Sequence, residues 1–168
     1  MNRFLRILKH RWLDEADARR ALGPDALKRL QERVAQSERR HSGEIRICVE
    51  ASLPLSYLWR GALARERAVT MFGKLRVWDT EHNNGVLIYL LLAEHAIEIV
   101  ADRGFNRHVG ADQWRGLADG MAQAFRQGDY EVGLNAAVDA VGRLLDQHFA
   151  LSEHEANPNE LPDAPVVQ

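Results

Sequence analysis

Apolar residues recur along this chain with two different periods. Spacings of three and four residues, which place side chains on one face of a helix, recur in the stretches 27–34, 58–72, 114–125 and 134–145. Apolar and polar residues alternate in 44–51 and 96–102, as in a strand with one buried face. Between these two, "VLIYLLLA" is apolar without interruption, which is typical of a strand covered on both faces.

The order of these elements predicts the fold. Helix, strand, helix, strand, strand, helix and helix follow one another along the chain. A strand–helix–strand unit implies a parallel pair with a right-handed crossover. Only Glu94 and His95 separate the second and third strands, so these two strands form an antiparallel hairpin. The sequence therefore predicts an α/β fold in which a small mixed β-sheet, a parallel βαβ unit plus an antiparallel hairpin, is sandwiched between helices.

The chain divides into three predicted segments. Residues 1–22 form an N-terminal amphipathic helical segment, and Gly23-Pro24-Asp25 separates it from an α/β domain over 23–149. Residues 150–168 contain acids, three prolines and few apolar residues. This composition predicts a disordered tail.

The first segment allows two interpretations. Phe4, Leu5, Leu8 and Trp12 share one helical face with basic residues around it, so the helix could lie on an anionic membrane surface. Alternatively, the helix docks on the body of the domain. The second interpretation is favoured because so short a segment binds a membrane weakly by itself.

Composition narrows the class of protein. The 168 residues suit a single domain, and 22 basic against 24 acidic residues give a formal net charge of -2, so there is no overall field that attracts nucleic acid. The single Cys48 forms no internal disulfide, which suits a reducing compartment. No transmembrane stretch and no signal-peptide pattern is found, so a cytoplasmic location is predicted.

Oxygen-bearing side chains collect on both sides of the predicted hairpin. Asp79, Glu81, Asn83 and Asn84 precede its first strand, and Asp102 follows its second. An antiparallel hairpin returns the chain to the end where it began, so we expect both groups at one rim of the sheet. Such oxygens suit a hard cation such as Ca²⁺. These five residues are candidate metal ligands, although Asn-Gly loops also carry polar residues for backbone reasons alone.

Two further side chains are candidates for catalysis. His82 could act as a ligand or general base, and Arg103 could clamp a phosphate or carboxylate with its planar guanidinium. Ordinary surface roles are the alternative for both. The chain has no phosphate-binding glycine loop and no nucleophile elbow. Any hydrolysis would therefore depend on a water molecule activated by a metal ion at Asp79, Glu81 and Asp102.

Several motifs together resemble the TPM domain family. The resemblance covers about 27–149 and rests on "SGEIRICVE", "NNGVLIYLLL", "IEIVADRGF" and "FRQGDY". It implies a helix-flanked sheet, a calcium site near the Asn-Gly loop in some members, and weak acid-phosphatase activity in some members. Many relatives have Asp-Asn-Gly where this chain has Asn83-Asn84-Gly85, so one candidate carboxylate is missing here.

The resemblance leaves three hypotheses for the function. The first is a TPM-domain protein that binds a cation, a protein partner or both, with little or no catalysis. The second is a weak metal-dependent phosphatase, assisted by His82 or Arg103. The third is a peripheral membrane protein that attaches through the first helix.

Overall fold

The computed structural model describes residues 3–152 and 154–168. Within them the helices are α1 (Arg3–Arg11), α2 (Glu15–Ala21), α3 (Pro24–Glu38), α4 (Leu55–Trp59), α5 (Ala64–Lys74), α6 (Ala111–Gln127) and α7 (Tyr130–His148). The strands are β1 (Ile45–Glu50), β2 (Val86–Leu91), β3 (Ala96–Ala101) and β4 (Val166–Val167). Short 3₁₀ turns follow β2 and β3, at Leu92–Glu94 and Arg103–Arg107.

The four strands form one mixed sheet in the order β3-β2-β1-β4. β1 and β2 are parallel, with Ile45 opposite Val86. β2 and β3 are antiparallel, with Val86 opposite Ala101. The predicted α/β class, with a parallel crossover and a hairpin, is confirmed.

Two helical layers cover the two faces of the sheet. Helices α3, α6 and α7 pack with α2 on one face, whereas α4 and α5 pack on the other. Strand β2 lies in the middle and sends alternate side chains into the two cores: Val86, Ile88 and Leu90 into the first, and Leu87, Tyr89 and Leu91 into the second. All six are buried, which explains the uninterrupted apolar run.

The predicted helix over 58–72 is two helices, α4 and α5. The break lies at Gly61, which has a φ of +72°, in the left-handed region that glycine adopts without a steric penalty. Strand β1 also differs from its prediction, because both of its faces are buried rather than one. Its charged residues Arg46 and Glu50 are covered by the chain's last residues and by α5, respectively.

The prediction of a disordered tail is wrong for the described residues. β4 pairs with β1, so that Cys48 lies opposite Val166. The buried carboxylate of Glu44 accepts hydrogen bonds from the backbone N–H groups of Glu160 and Leu161, both at 3.1 Å. The tail has little apolar surface, but buried charged groups on the domain bind its backbone instead. Residue 153 of this segment lies outside the described residues.

The first helix docks on the domain through Arg6 and His10, and Ile7 packs against the second core. Arg6 and His10 contact Glu94, at the turn between β2 and β3, with atoms 2.6 and 3.0 Å apart. The ring of His10 also accepts a hydrogen bond from the backbone N–H of Leu53 at 3.0 Å. The predicted amphipathic helix is therefore present, but the apolar face formed by Phe4, Leu5, Leu8 and Trp12 is exposed. Residues 1 and 2 of the predicted segment lie outside the described residues.

No helix among the residues described is both long and apolar enough to span a bilayer.

Candidate functional site

The hairpin brings its two flanking loops together at one rim of the sheet. The backbone N–H of Asp102 donates to the carbonyl of Gly85 at 2.9 Å, and that of Gly104 donates to the carbonyl of Asn83 at 2.9 Å. A Cβ atom at Gly104 would lie 2.5 Å from the carbonyl oxygen of Asn83, so only glycine allows this approach. The backbones of the two loops are thus in direct contact, as the hairpin geometry predicts.

The loop before β2 is held by a buried threonine. The hydroxyl of Thr80 accepts a hydrogen bond from the N–H of Asn84 at 3.1 Å, and its carbonyl accepts one from the N–H of Asn83 at 3.2 Å. Asn83 adopts a φ of +52°, a left-handed conformation that asparagine tolerates better than most residues. Because Thr80 points inward, its neighbours Asp79 and Glu81 are exposed.

Asp102 is the buried carboxylate of the rim. Its Oδ1 accepts a hydrogen bond from the N–H of Arg103 at 2.7 Å, whereas its Oδ2 is buried and has no hydrogen-bond partner. Burial raises the pKa of Asp102, and the contacts with Arg103 oppose that shift only in part. The Nε of Arg103 donates to Asn83 Oδ1 at 2.8 Å and so links the two loops.

Asn84 supplies a second unpartnered oxygen. Its side chain is fully buried, and its Nδ2 donates to the hydroxyl of Ser42 at 3.2 Å. Its Oδ1 is buried and has no hydrogen-bond partner. Buried acceptors without a partner are uncommon in native proteins and often indicate a water molecule or an ion. Each of the two loops therefore carries one such oxygen.

The three candidate carboxylates are not gathered into one ligand set. Asp79 pairs with Arg76 at the surface, at 3.0 Å, and the backbone of Glu81 donates to the carboxylate of Glu160 at 3.0 Å. Across the described part of the chain, no group of three or more His, Cys, Asp or Glu side chains is placed to hold a metal ion. A site at this rim would depend on Asp102, amide oxygens, carbonyls and water.

Comparison with known proteins assigns the family. The sequence profile of the TPM domain matches residues 16–144, which include the whole rim. The chain belongs to the TPM domain family.

Solved structures agree with this TPM-domain fold. One is the NMR structure of the BA42 protein from the psychrophilic bacterium Bizionia argentinensis. It is 26% identical to this chain, with a TM-score of 0.73, and the match covers 86% of this chain and 94% of that one. The N-terminal domain of a protein from P. gingivalis is 20% identical, with a TM-score of 0.63 over 80% of this chain and 83% of that one. The second likeness concerns the fold alone. No curated protein matches this chain in sequence.

Asp102 and His82 line two different cavities of this TPM domain. Asp102 lines a cavity of about 570 Å³ beside β3 and α6, together with Phe105 and Trp114. His82 and Glu81 line another, of about 490 Å³, together with residues of the tail. His82 and Asp102 thus open into different cavities, although their loops are in contact.

Other buried charges in the TPM domain were missed by the sequence analysis. Glu50 binds the guanidinium of Arg67, with Nε and Oε2 2.8 Å apart, and accepts a hydrogen bond from the hydroxyl of Tyr89 at 2.6 Å. The alternation of β1 predicted a solvent-facing Glu50. The unbroken apolar sequence of β2, which lies beside β1, already indicated that Glu50 is buried. If helices cover both faces of the sheet at β2, they also cover both faces of the neighbouring strand.

Two more buried carboxyls bind backbone rather than ligand. Glu38 Oε1 accepts a hydrogen bond from the N–H of Ile45 at 2.8 Å, and burial raises the pKa of Glu38 to about 9. Burial likewise raises the pKa of Glu44, which binds the tail. Both carboxyls have structural partners, whereas Asp102 has a free oxygen.

Proposed function

We propose that this TPM domain is a cation-binding module with little or no catalysis, and that a divalent cation such as Ca²⁺ binds at Asp102. The observation that supports it is the buried Oδ2 of Asp102, which has no hydrogen-bond partner. An ionised carboxylate in such a position is costly unless a positive group compensates it. A cation at the rim supplies that compensation.

The neighbouring loop offers further oxygens of the kind that Ca²⁺ takes up. The carbonyls of His82 and Asn83 lie beside Gly104, two residues after Asp102. Asn84 Oδ1 is unpartnered, whereas Asn83 Oδ1 already accepts a hydrogen bond from Arg103. Asp102 would therefore be the main ligand, with Asn83, Asn84 and water as candidates for the remaining positions.

The small number of carboxylates sets the expected affinity. Calcium sites bind more weakly as the number of charged ligands falls, and sites at the weak end have dissociation constants of about 10⁻⁴–10⁻³ M. We expect this range here because, among the described residues of the rim, Asp102 is the one carboxylate with a buried oxygen that has no hydrogen-bond partner. A cation held in this way keeps open coordination positions, which acidic side chains of a protein partner can fill.

Phosphatase activity gains less support from the geometry. Its hypothesis requires Asp79, Glu81 and Asp102 around one ion, with His82 or Arg103 beside them. Asp79 is instead paired with Arg76, and His82 lines another cavity. Arg103 is already bonded to Asn83.

A calcium titration followed by thermal melting tests the proposal. A ligand that binds only the folded protein raises the melting temperature. At a calcium concentration about ten times the dissociation constant, we expect a rise of roughly 3–6 °C. Asp102→Asn should abolish this rise, because the amide removes the only charged ligand.

Asp25→Asn is the matched control. Asp25 is exposed in the first turn of α3, at the end of that helix far from Ser42, which contacts Asn84 of the rim. Its variant should respond to calcium like the wild type. A wild-type protein whose melting temperature does not change up to about 10 mM calcium contradicts the proposal. So does an Asp102→Asn variant that keeps the full response.

A further inference from the structure

Helix α1 is docked with its apolar face turned to solvent. Phe4, Leu5, Leu8 and Trp12 are exposed, and 83% of the surface of Trp12 is accessible. The opposite face carries the contacts with Glu94. An amphipathic helix that packs on a protein core normally buries its apolar stripe. The reversed orientation of α1 needs an explanation outside the domain.

The neighbouring helix α4 also exposes apolar side chains. Its Leu55 and Trp59 are exposed, as is Leu63 in the turn that follows, and 68% of Trp59 is accessible. The two helices pack against each other, and the guanidinium of Arg6 donates to the carbonyl of Ala62 at 2.7 Å. We call this region the α1–α4 surface. It holds seven of the ten exposed large hydrophobic residues found in the described part of the chain.

The α1–α4 surface has a positive edge. The sequence of α1, "RFLRILKHR", contains no acidic residue, and its Lys9 and Arg11 are exposed. Of the acids that follow α1, Asp14 accepts a hydrogen bond from the backbone N–H of Asp17 at 3.1 Å, and the next two have basic partners. Glu15 pairs with Arg19 at 2.6 Å, and Asp17 pairs with Arg20.

We propose that the α1–α4 surface binds the surface of an anionic phospholipid bilayer. Aromatic and leucine side chains enter the boundary between headgroups and acyl chains, and nearby Lys and Arg side chains contact the lipid phosphates. Each basic residue near an anionic membrane raises the affinity about fivefold. Lys9 and Arg11 thus select an anionic bilayer over a neutral one.

A second copy of the chain fits this surface less well. A two-fold symmetric dimer places the same patch on both sides of the interface. It would bring Lys9 and Arg11 of the two copies towards each other, where like charges repel. A lipid surface with negative phosphates has the complementary charge.

Docking removes the main objection to membrane binding by so short a helix. An isolated helix of nine residues is marginal in water and must fold as it binds. Here α1 is already folded and held by Glu94, so binding carries no cost of helix formation. α4 and the following turn also add three apolar side chains to the three of α1 and to Trp12, which follows it.

The α1–α4 surface is independent of the proposed cation site. Glu94 lies at the turn between β2 and β3, whereas Asp102 lies at the other end of the same strands. Strands of six residues separate the two ends by about 20 Å. A variant of one region should therefore leave the other unchanged.

Vesicle co-sedimentation of the full chain tests the proposal. We expect binding to vesicles that contain phosphatidylglycerol, and much weaker binding to pure phosphatidylcholine. Trp12→Glu should lower the partition coefficient at least about tenfold, because it removes an inserted ring and adds a repelled charge. Val132→Glu, at an exposed valine of α7, is the matched control and should bind like the wild type.

A second pair of variants tests the charge. Lys9→Gln combined with Arg11→Gln should weaken binding to the anionic vesicles about thirtyfold, which corresponds to about 2 kcal/mol. Arg126→Gln combined with Arg143→Gln, on α6 and α7, should have no such effect.

Three results overturn the proposal: wild-type protein that does not sediment with anionic vesicles, equal binding to both kinds of vesicle, or unchanged binding by Trp12→Glu. A dimer in sedimentation velocity that Trp12→Glu dissociates, without any vesicle binding by the wild type, would assign the surface to a second copy instead. Circular dichroism melts confirm that each variant is folded.

Discussion

Two carboxylates at opposite ends of the β2–β3 hairpin have contrasting surroundings. Glu94 lies at the turn, where Arg6 Nε and His10 Nε2 approach the same oxygen at 2.6 and 3.0 Å. Asp102 lies at the rim, where one oxygen accepts a single backbone hydrogen bond and the other has no partner. Glu94 holds α1 on the domain, whereas Asp102 has a buried acceptor oxygen without a hydrogen-bond partner.

The pKa values follow this difference. Burial by itself would raise the pKa of Glu94, but hydrogen bonds from His10 and Arg6 outweigh burial and lower it. Burial raises the pKa of Asp102, and Arg103 compensates only in part. The two carboxylates of one hairpin thus differ: Glu94 has a structural role, with Arg6 and His10 as hydrogen-bond partners, and Asp102 has an oxygen that is available to a ligand. The predictions below test this division.

The largest expected effect belongs to the Glu94 end. His10→Ala removes the acceptor of the buried Leu53 N–H, one partner of Glu94, and a fully buried ring. A buried donor without an acceptor costs about 1–3 kcal/mol, and the lost packing adds to this. We expect the free energy of unfolding in urea to fall by about 2–3 kcal/mol.

Lys9→Ala is the control for this prediction, since Lys9 is the exposed neighbour of His10 on the same helix. Its free energy of unfolding should stay within about 0.5 kcal/mol of the wild type. If His10→Ala changed stability as little as Lys9→Ala, the contacts of Glu94 would not fasten α1.

The next largest effect is an increase in stability, and it is expected for a substitution of Asp102 at the rim. The folded pKa of Asp102 is raised, so its contribution to stability is complete below the unfolded pKa of about 4 and is lost as pH rises through the folded pKa. Asp102→Asn removes this loss. Without calcium, the variant should exceed the wild type at pH 7 by up to about 1 kcal/mol, and the gap should close in acid.

Glu94 should behave in the reverse way. Its folded pKa is lowered, so its stabilising contribution is present above the unfolded pKa of about 4.3 and is lost as pH falls through the folded pKa. Urea unfolding of wild type and Asp102→Asn at several pH values, with a chelator present, makes the comparison. If Asp102→Asn is less stable than the wild type at pH 7, the negative charge of Asp102 is already compensated by other groups of the folded protein.

Local geometry explains which parts of this picture the sequence predicts. The meeting of Asn83 and Asp102 follows from one reversal of direction across Glu94 and His95, so it is visible in the order of residues. The apolar face of α1 is likewise visible in the spacing of Phe4 and Leu8. Whether that face points inward depends on Glu94, more than eighty residues away, which binds the polar face instead.

Distant partners also explain the errors. The tail reaches β1 because Glu44 and Arg46 bind its backbone, and neither residue looks like a docking site in sequence. Glu50 is buried because Arg67 covers it. Composition and periodicity indicate how apolar a segment is. They do not reveal a buried charged residue whose partner lies elsewhere in the chain.

The smallest expected effect comes from adding a second carboxylate to the rim. Asn83→Asp creates the sequence Asp-Asn-Gly and places a second carboxylate beside the carbonyl that contacts Gly104. An added charged ligand should tighten calcium binding, roughly fivefold at a weak site. With calcium near the wild-type dissociation constant, this gives the variant about 0.6 kcal/mol more calcium-dependent stabilisation.

The new carboxylate can also pair with Arg103, which now donates to Asn83 Oδ1, and so can stabilise the protein without any metal. The measurement is therefore the rise in melting temperature on adding calcium, compared between variant and wild type, and not the melting temperature itself. Asn135→Asp, on α7, adds the same charge away from the rim and controls for net charge. If Asn83→Asp and Asn135→Asp respond to calcium alike, a carboxylate at position 83 does not reach the cation, and Asp102 binds it without the loop side chains.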